Sequence, residues 1–293
     1  MSQKERNEEI LNIQELGSGE IQKKMAQGCD TVLIPIGSCE RHGNPYTPLG
    51  TDGLVSFAIV ERAARKADVL YTPLMPFGYA PHHMGKVGEG AGTITLSAET
   101  YRRVLMDIGR SLIFHGFNKL IFVSFHSFNV TNAEEVLFSL RFHTGAFVAF
   151  YGGRETPNVQ QILGSTPDRL ASDFEASMIL ALMGDKGLHE EHMNRSYRIH
   201  APEWMGSAFT KRAGTGMAVN FKGSENIFLG MDDFEFVEPV SRVDQGVSKA
   251  SAEKGRMILD RAAQDLAEFV EEVKKMKIEV RNRDFPDRAR PLF

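Results

Sequence analysis

"DTVLIPIGSCERHG", residues 30–43, is a buried strand followed at once by charge. Thr31 to Ile36 is apolar and rich in branched side chains, and Gly37 closes the run, the pattern of a strand covered on both faces. Glu40, Arg41 and His42 come next, then Pro45, Pro48, Gly50 and Asp52.

The same alternation runs outward from there. "TDGLVSFAIVERAARKA" (51–67) has helical spacing, with Leu54, Phe57, Ala58 and Val60 or Ile59 on one side and Arg62, Arg65 and Lys66 on the other. "VLYTPLMPFG" (69–78) reads as a second strand that two prolines break off. "SAETYRRVLMDIGRSLIFHG" (97–116) is an amphipathic helix with a serine start and a glycine stop. "NKLIFVSF" (118–125) is a third strand, "NAEEVLFSLRFHTG" (132–145) a helix and "AFVAFYG" (146–152) a fourth strand. Strands alternating with helices predict βαβ units and a parallel sheet, whose ligand sites lie beyond the carboxyl ends of the strands. Glu40, His42, His82, His83 and His126 all fall at those ends.

Upstream, residues 9–26 read as a short strand or turn and then a helix, with Ser18 as N-cap and no capping box. Downstream, "DRLASDFEASMILALM" (168–183) is a helix with carboxylates near its start. Residues 189–240 read as long loops and short strands, and 247–277 as a long amphipathic helix. One domain over residues 1–280 is expected, with 281–293 a charged, proline-containing tail that has little to order it by itself.

The chain has 293 residues, 42% hydrophobic and 25% charged, which suits a folded α/β protein. Net charge is −4, with no basic stripe, so nucleic acid is not the expected partner. The N-terminus has no apolar core segment and no apolar run reaches membrane-spanning length, so no membrane association and a cytoplasmic location are expected. Cys29 and Cys39 are expected as free thiols.

Glu40, His42, Asp52, His126 and Glu175 are the strongest chemical cluster, because mixed carboxylate and imidazole donors suit Zn²⁺, Mn²⁺ or Fe²⁺. On extended backbone the E-x-H spacing points Glu40 and His42 the same way, each toward one of two neighbouring ions, and Asp52 has the oxygens to bridge them. Two such ions would acidify a water and polarise a substrate carbonyl. The competing reading makes Glu40 and Arg41 surface charges and gives His42 and Asp52 to a turn. His82 and His83, before the glycine-rich "MGKVGEGAGTITL", form a second candidate whose plainer reading is a surface loop. His115, His143, His189, His192 and His200 read as helix-end or solvated residues. There is no nucleophile elbow.

These motifs resemble the creatininase (creatinine amidohydrolase) family: "IPIGSCERHGNPYTPLGTD", "GEGAGTITL", "HGFNKLIFVSFHSFN", "DFEASMILAL" and "KASAEKG" match its segments in order over about residues 12–270. The resemblance implies a three-layer α/β/α fold with a mainly parallel central sheet, two divalent ions per subunit and a homo-oligomer, often a hexamer. By matched position, Glu40 and His126 would hold one ion, His42 and Glu175 the other, and Asp52 would bridge. Two departures stand out: Phe128 occupies the place of an extra metal-binding glutamate in creatinine hydrolases, and Leu170 that of a histidine that protonates the leaving nitrogen. Asp173, Glu175 and His83 are the candidate catalytic residues. A carbon leaving group needs no such donor, which makes a branch like 3-dehydro-scyllo-inosose hydrolase of inositol catabolism the expected activity. Cleavage of a cyclic amide or formamide is the alternative, and a non-catalytic ligand-binding member the third reading.

Overall fold

The computed structural model describes residues 9–152, 157–163, 170–211, 218–241 and 250–286. The chain enters through α1 (Ser18–Ala26), where Gly17, not Ser18, is the N-cap. Gly17 has no side-chain oxygen to offer. Glu20 instead reaches back and accepts the Gly17 N–H at 2.8 Å, so its charge also meets the positive end of the helix.

The sheet comes next, as β1 (Thr31–Pro35), α2 (Thr51–Ala67), β2 (Leu70–Tyr71), α3 (Ala98–Phe114), β3 (Lys119–Val123), α4 (Ser127–Thr144) and β4 (Phe147–Tyr151). Its order is β2-β1-β3-β4 and every pairing is parallel, from Val32 opposite Leu70 to Thr31 opposite Lys119 and Lys119 opposite Phe147. Every residue of β1 and β3 is buried, as expected for central parallel strands. Only two residues of β2 pair: the Thr72 N–H still donates to the Leu33 carbonyl, but Pro35 on β1 lacks the N–H that would carry the ladder further. Helix α4 starts five residues before the expected segment, directly from His126 at the end of β3.

Two longer helices complete the layers around α5 (Pro157–Leu163): α6 (Leu170–Met183) and, beyond α7 (Glu190–Met193), α8 (Ala252–Lys275). Helices α2, α6 and α8 pack on one another, as α3 and α4 do, giving the three-layer α/β/α arrangement with a parallel centre. Helix α8 is capped by the Ser251 hydroxyl and buries Ile258, Leu259, Leu266, Val270 and Val273. It meets α6 at Gly255, where a Cβ would lie 1.8 Å from the Ser177 carbonyl oxygen.

Between them, β5 (Arg195–Ile199) pairs antiparallel with β9 (Val237–Ser241). β6 (Phe209–Lys211), β7 (Ala218–Phe221) and β8 (Ser224–Phe228) form a small antiparallel sheet beside a cluster of Val219, Met231 and Phe236. A 3-10 turn, Asp233–Glu235, precedes β9. At the C-terminus the body itself orders residues 281–286: the Arg281 N–H donates to the Thr144 carbonyl at 2.8 Å, and Arg283 donates to the Ile113 carbonyl at 2.6 Å. Arg110 lies over the ring of Phe285. Cys29 and Cys39 are free thiols. No helix among the described residues is long and apolar enough to cross a membrane.

Gly255→Ala should lower the free energy of unfolding by about 1–3 kcal/mol, since the new methyl meets main chain that cannot rotate away. Urea titration followed by circular dichroism measures it. An unchanged midpoint would mean that α6 and α8 do not approach this closely.

Candidate metal centre

The loops that leave β1, β2 and β3 are joined by one buried amide. Asn129, in the first turn of α4, donates from Nδ2 to the Gly37 carbonyl at 2.9 Å and the Ser124 hydroxyl at 3.1 Å. Its Oδ1 accepts the Tyr79 N–H at 2.9 Å. Gly78 allows the approach: a Cβ there would fall 2.5 Å from Asn129 Oδ1 and 2.7 Å from the Gly37 carbonyl.

The donor groups stand on these loops. Glu40 is buried; its Oε2 accepts the Ser38 hydroxyl, and its Oε1 lies 3.0 Å from His126 Nδ1 and 3.2 Å from His83 Nε2. His126 donates from Nε2 to the Tyr79 carbonyl at 2.9 Å, which leaves Nδ1 as the inward nitrogen. His42 is the mirror case. Its Nδ1 donates to the Glu40 carbonyl at 3.1 Å, and its buried Nε2 has no hydrogen-bond partner. Asp52, in the first turn of α2, places Oδ2 3.5 Å from His126 Nδ1 and 3.9 Å from His42 Nε2.

Among the described residues two groups have ligand atoms all within 4.8 Å of one another: Glu40–His83–His126 and Glu40–His42–Asp52. Donors about 2.0–2.2 Å from one ion are separated by roughly 3.0–3.6 Å, close to the spacings here. An unpartnered buried nitrogen, backbone-fixed tautomers and a nitrogen–oxygen donor set together fit a divalent ion of the zinc or manganese kind.

With protons alone, the charges balance differently. Burial pulls His126 down, but the Glu40 and Asp52 carboxylates raise it to about 10. Burial also opposes the charge on His83, while Asp233 and Glu40 raise it to about 9. Burial would raise Glu40, yet His126 and His83 hold its carboxyl well below the usual range. His82, its ring centroid 4.0 Å from that of Phe128, is driven to about 3 by burial and by its cationic neighbours His83 and His126.

The profile of the Creatininase family, described as creatinine amidohydrolase, matches residues 14–270. The chain belongs to the creatininase family. That family consists of metal-dependent hydrolases. A "Mycofactocin precursor peptide peptidase" of Mycobacterium ulcerans is 35% identical over 117 residues, 38% of this chain and 46% of that protein. A "3-dehydro-scyllo-inosose hydrolase" of Thermotoga maritima is 31% identical over 108 residues, 36% of this chain and 33% of its own length. The chain thus spans less than half of each of these relatives. The solved structure "Creatininase Mn" shares the fold, with a TM-score of 0.64 at 22% identity over 92% of this chain and 100% of that one.

Of the residues that creatininase-family motifs single out, Glu40, His42, Asp52 and His126 converge, and His83 joins them. Glu175 is half-buried on α6 and belongs to neither group. Leu170 and Asp173 lie on the same helix, but their side chains are outside the described residues. Sequence reasoning missed Asp233, which is buried with Oδ2 2.9 Å from His83 Nδ1 and Oδ1 3.4 Å from Arg41. Only the doublet Asp232–Asp233, in a stretch without periodicity, hinted at it.

Asn129→Leu should cost about 2–4 kcal/mol, because the Tyr79 N–H and the Gly37 carbonyl lose their partner together. Chemical unfolding measures it, and a neutral result would show that the loops hold without the amide. A second prediction concerns pH. His83 and His126 keep protons up to about 9 and about 10 in the metal-free protein. Their cationic contribution to stability is therefore complete below the ordinary histidine value and is lost as pH rises through 9 to 10. Metal uptake at neutral pH must displace these protons, so apparent affinity should rise with pH. Titration calorimetry in buffers of different ionisation enthalpy should show proton release; heats independent of buffer would refute it.

Proposed function

We propose that this chain is a divalent-metal hydrolase that opens a small polar ring, with carbon–carbon cleavage of a cyclic diketone such as 3-dehydro-scyllo-inosose as its reaction. The observation that carries the reading is the convergence of buried Glu40, His42, Asp52 and His126 at the carboxyl ends of parallel strands. The set suits two ions, zinc, manganese or iron, with Glu175 on α6 as the added ligand of the second by family resemblance. When bound, such ions lower the pKa of water and polarise a carbonyl.

The chain's own residues do the rest. The Glu40 and Tyr79 carbonyls hold His42 and His126 in one tautomer each, so neither ring has to turn during a cycle. His82 and Phe128 stack as a wall against His126. Attack of water on one carbonyl of a cyclic β-diketone breaks the neighbouring carbon–carbon bond and releases an enolate. That leaving group departs without a proton. An amine does not, and Leu170 stands where family resemblance expects the donor.

The 35% identity to a peptidase supports a second reading, hydrolysis of a carbon–nitrogen bond in a lactam, formamide or peptide. Asp173 or His83 would then have to protonate the nitrogen. A homo-oligomer, up to a hexamer, is the setting that the resemblance suggests for either reaction.

Metal-reconstituted protein should open 3-dehydro-scyllo-inosose and leave creatinine largely untouched, and chelation should abolish turnover. Glu40→Gln and Asp52→Asn should each lower kcat/KM beyond the roughly 10–100-fold that losing an outer hydrogen-bond partner costs. Turnover that survives complete metal removal rejects the proposal; faster hydrolysis of an amide substrate selects the second reading.

A further inference from the structure

We infer that His83 is itself a metal ligand of this centre, aimed by Asp233; the inference rests on the metal-centre reading above. Glu40 offers its two oxygens to different partners. Oε2 is occupied by the Ser38 hydroxyl, while Oε1 faces both His126 Nδ1, at 3.0 Å, and His83 Nε2, at 3.2 Å. A histidine that merely steadied a ligand carboxylate from behind belongs on the outer oxygen, and Ser38 already fills that place. His83 instead approaches the oxygen that His126 shares, so one carboxylate oxygen and two ring nitrogens converge.

The other side of the ring has the matching feature. His83 Nδ1 lies 2.9 Å from Asp233 Oδ2, so Nδ1 keeps its hydrogen, and Nε2, which faces Glu40 Oε1, is the nitrogen that would give up its proton to an incoming ion. A carboxylate behind an imidazole is the usual outer support of a metal-bound histidine. Asp233 is itself fixed. Arg41 donates to its Oδ1 at 3.4 Å, and the Arg41 guanidinium lies 3.5 Å from the centre of the Phe234 ring. Asp232 accepts the N–H groups of Gly85, at 2.5 Å, and Phe234, at 3.0 Å, so the turn that carries Asp233 is tied to the loop that carries His83. Asp233 thus acts as a positioning residue for an ion held by Glu40, His83 and His126.

An ion-bound His83 has no free lone pair to move protons. The inference therefore removes one of the two candidate donors for an amine leaving group.

The test is a crystal structure of the wild-type chain loaded with zinc or manganese, read by anomalous scattering, alongside equilibrium dialysis of His83→Ala and Asp233→Asn. Expected are anomalous density about 2.0–2.2 Å from His83 Nε2, at least 10-fold weaker binding of one ion in His83→Ala, and roughly 10-fold weaker binding in Asp233→Asn. Circular dichroism checks folding, and the wild-type map decides the matter should His83→Ala fail to fold. Ions bound at Glu40, His42, Asp52 and His126 with His83 Nε2 outside bonding distance overturn this inference and leave the metal-centre reading standing. A wild-type chain that binds no divalent ion overturns both.

Discussion

Parallel strands that end side by side need their connecting loops tied together, and in this chain one buried amide joins all three exits, beside backbone bonds such as that from the Gly37 N–H to the Met75 carbonyl. Asn129 uses both faces of its side chain to join the exits of β1, β2 and β3, and its own carbonyl accepts the Tyr101 hydroxyl. Everything chemical hangs from those exits. Glu40 lies three residues past Gly37, His126 three before Asn129, and His83 four beyond Tyr79. Tyr79 shows how tight the coupling is: its N–H bonds to Asn129 while its carbonyl orients His126.

Burying Glu40 and Asp52 together would be costly if nothing compensated their charge. Without metal, protons on His126 and His83 supply the balance, which is why both rings titrate so far above the ordinary histidine value. A divalent ion supplies the same compensation with the rings neutral. The two states need similar side-chain positions, because the hydrogen bonds that orient His42 and His126 are made to the main chain rather than to one another.

Much of this was legible in the sequence because the informative residues are local to their strands. A buried run closed by glycine and followed by Glu40 and His42 places two donors without any knowledge of the rest. "NKLIFVSF" does the same for His126. Helix starts were harder. Gly17 caps α1 through Glu20, a bond that a side-chain rule based on Ser18 does not see, and α4 begins at Ser127, directly after a His126 N-cap that makes no side-chain capping bond. Asp233 was illegible for a different reason. Its partner His83 lies 150 residues away, and the turn that delivers it belongs to a part of the chain with no period of its own. Contacts of that kind are written in the tertiary structure alone.

Two of the buried histidines of the centre, His42 and His126, take their orientation from peptide carbonyls, which every residue type provides. Neighbouring side chains are consequently free to drift without turning either ring. In evolutionary terms, the reactive centre is insulated from its surroundings. A position such as Phe128, whose ring lies beside those of His82 and His126, becomes a natural place for new substrate preferences to arise, while the machinery beneath it stays the same.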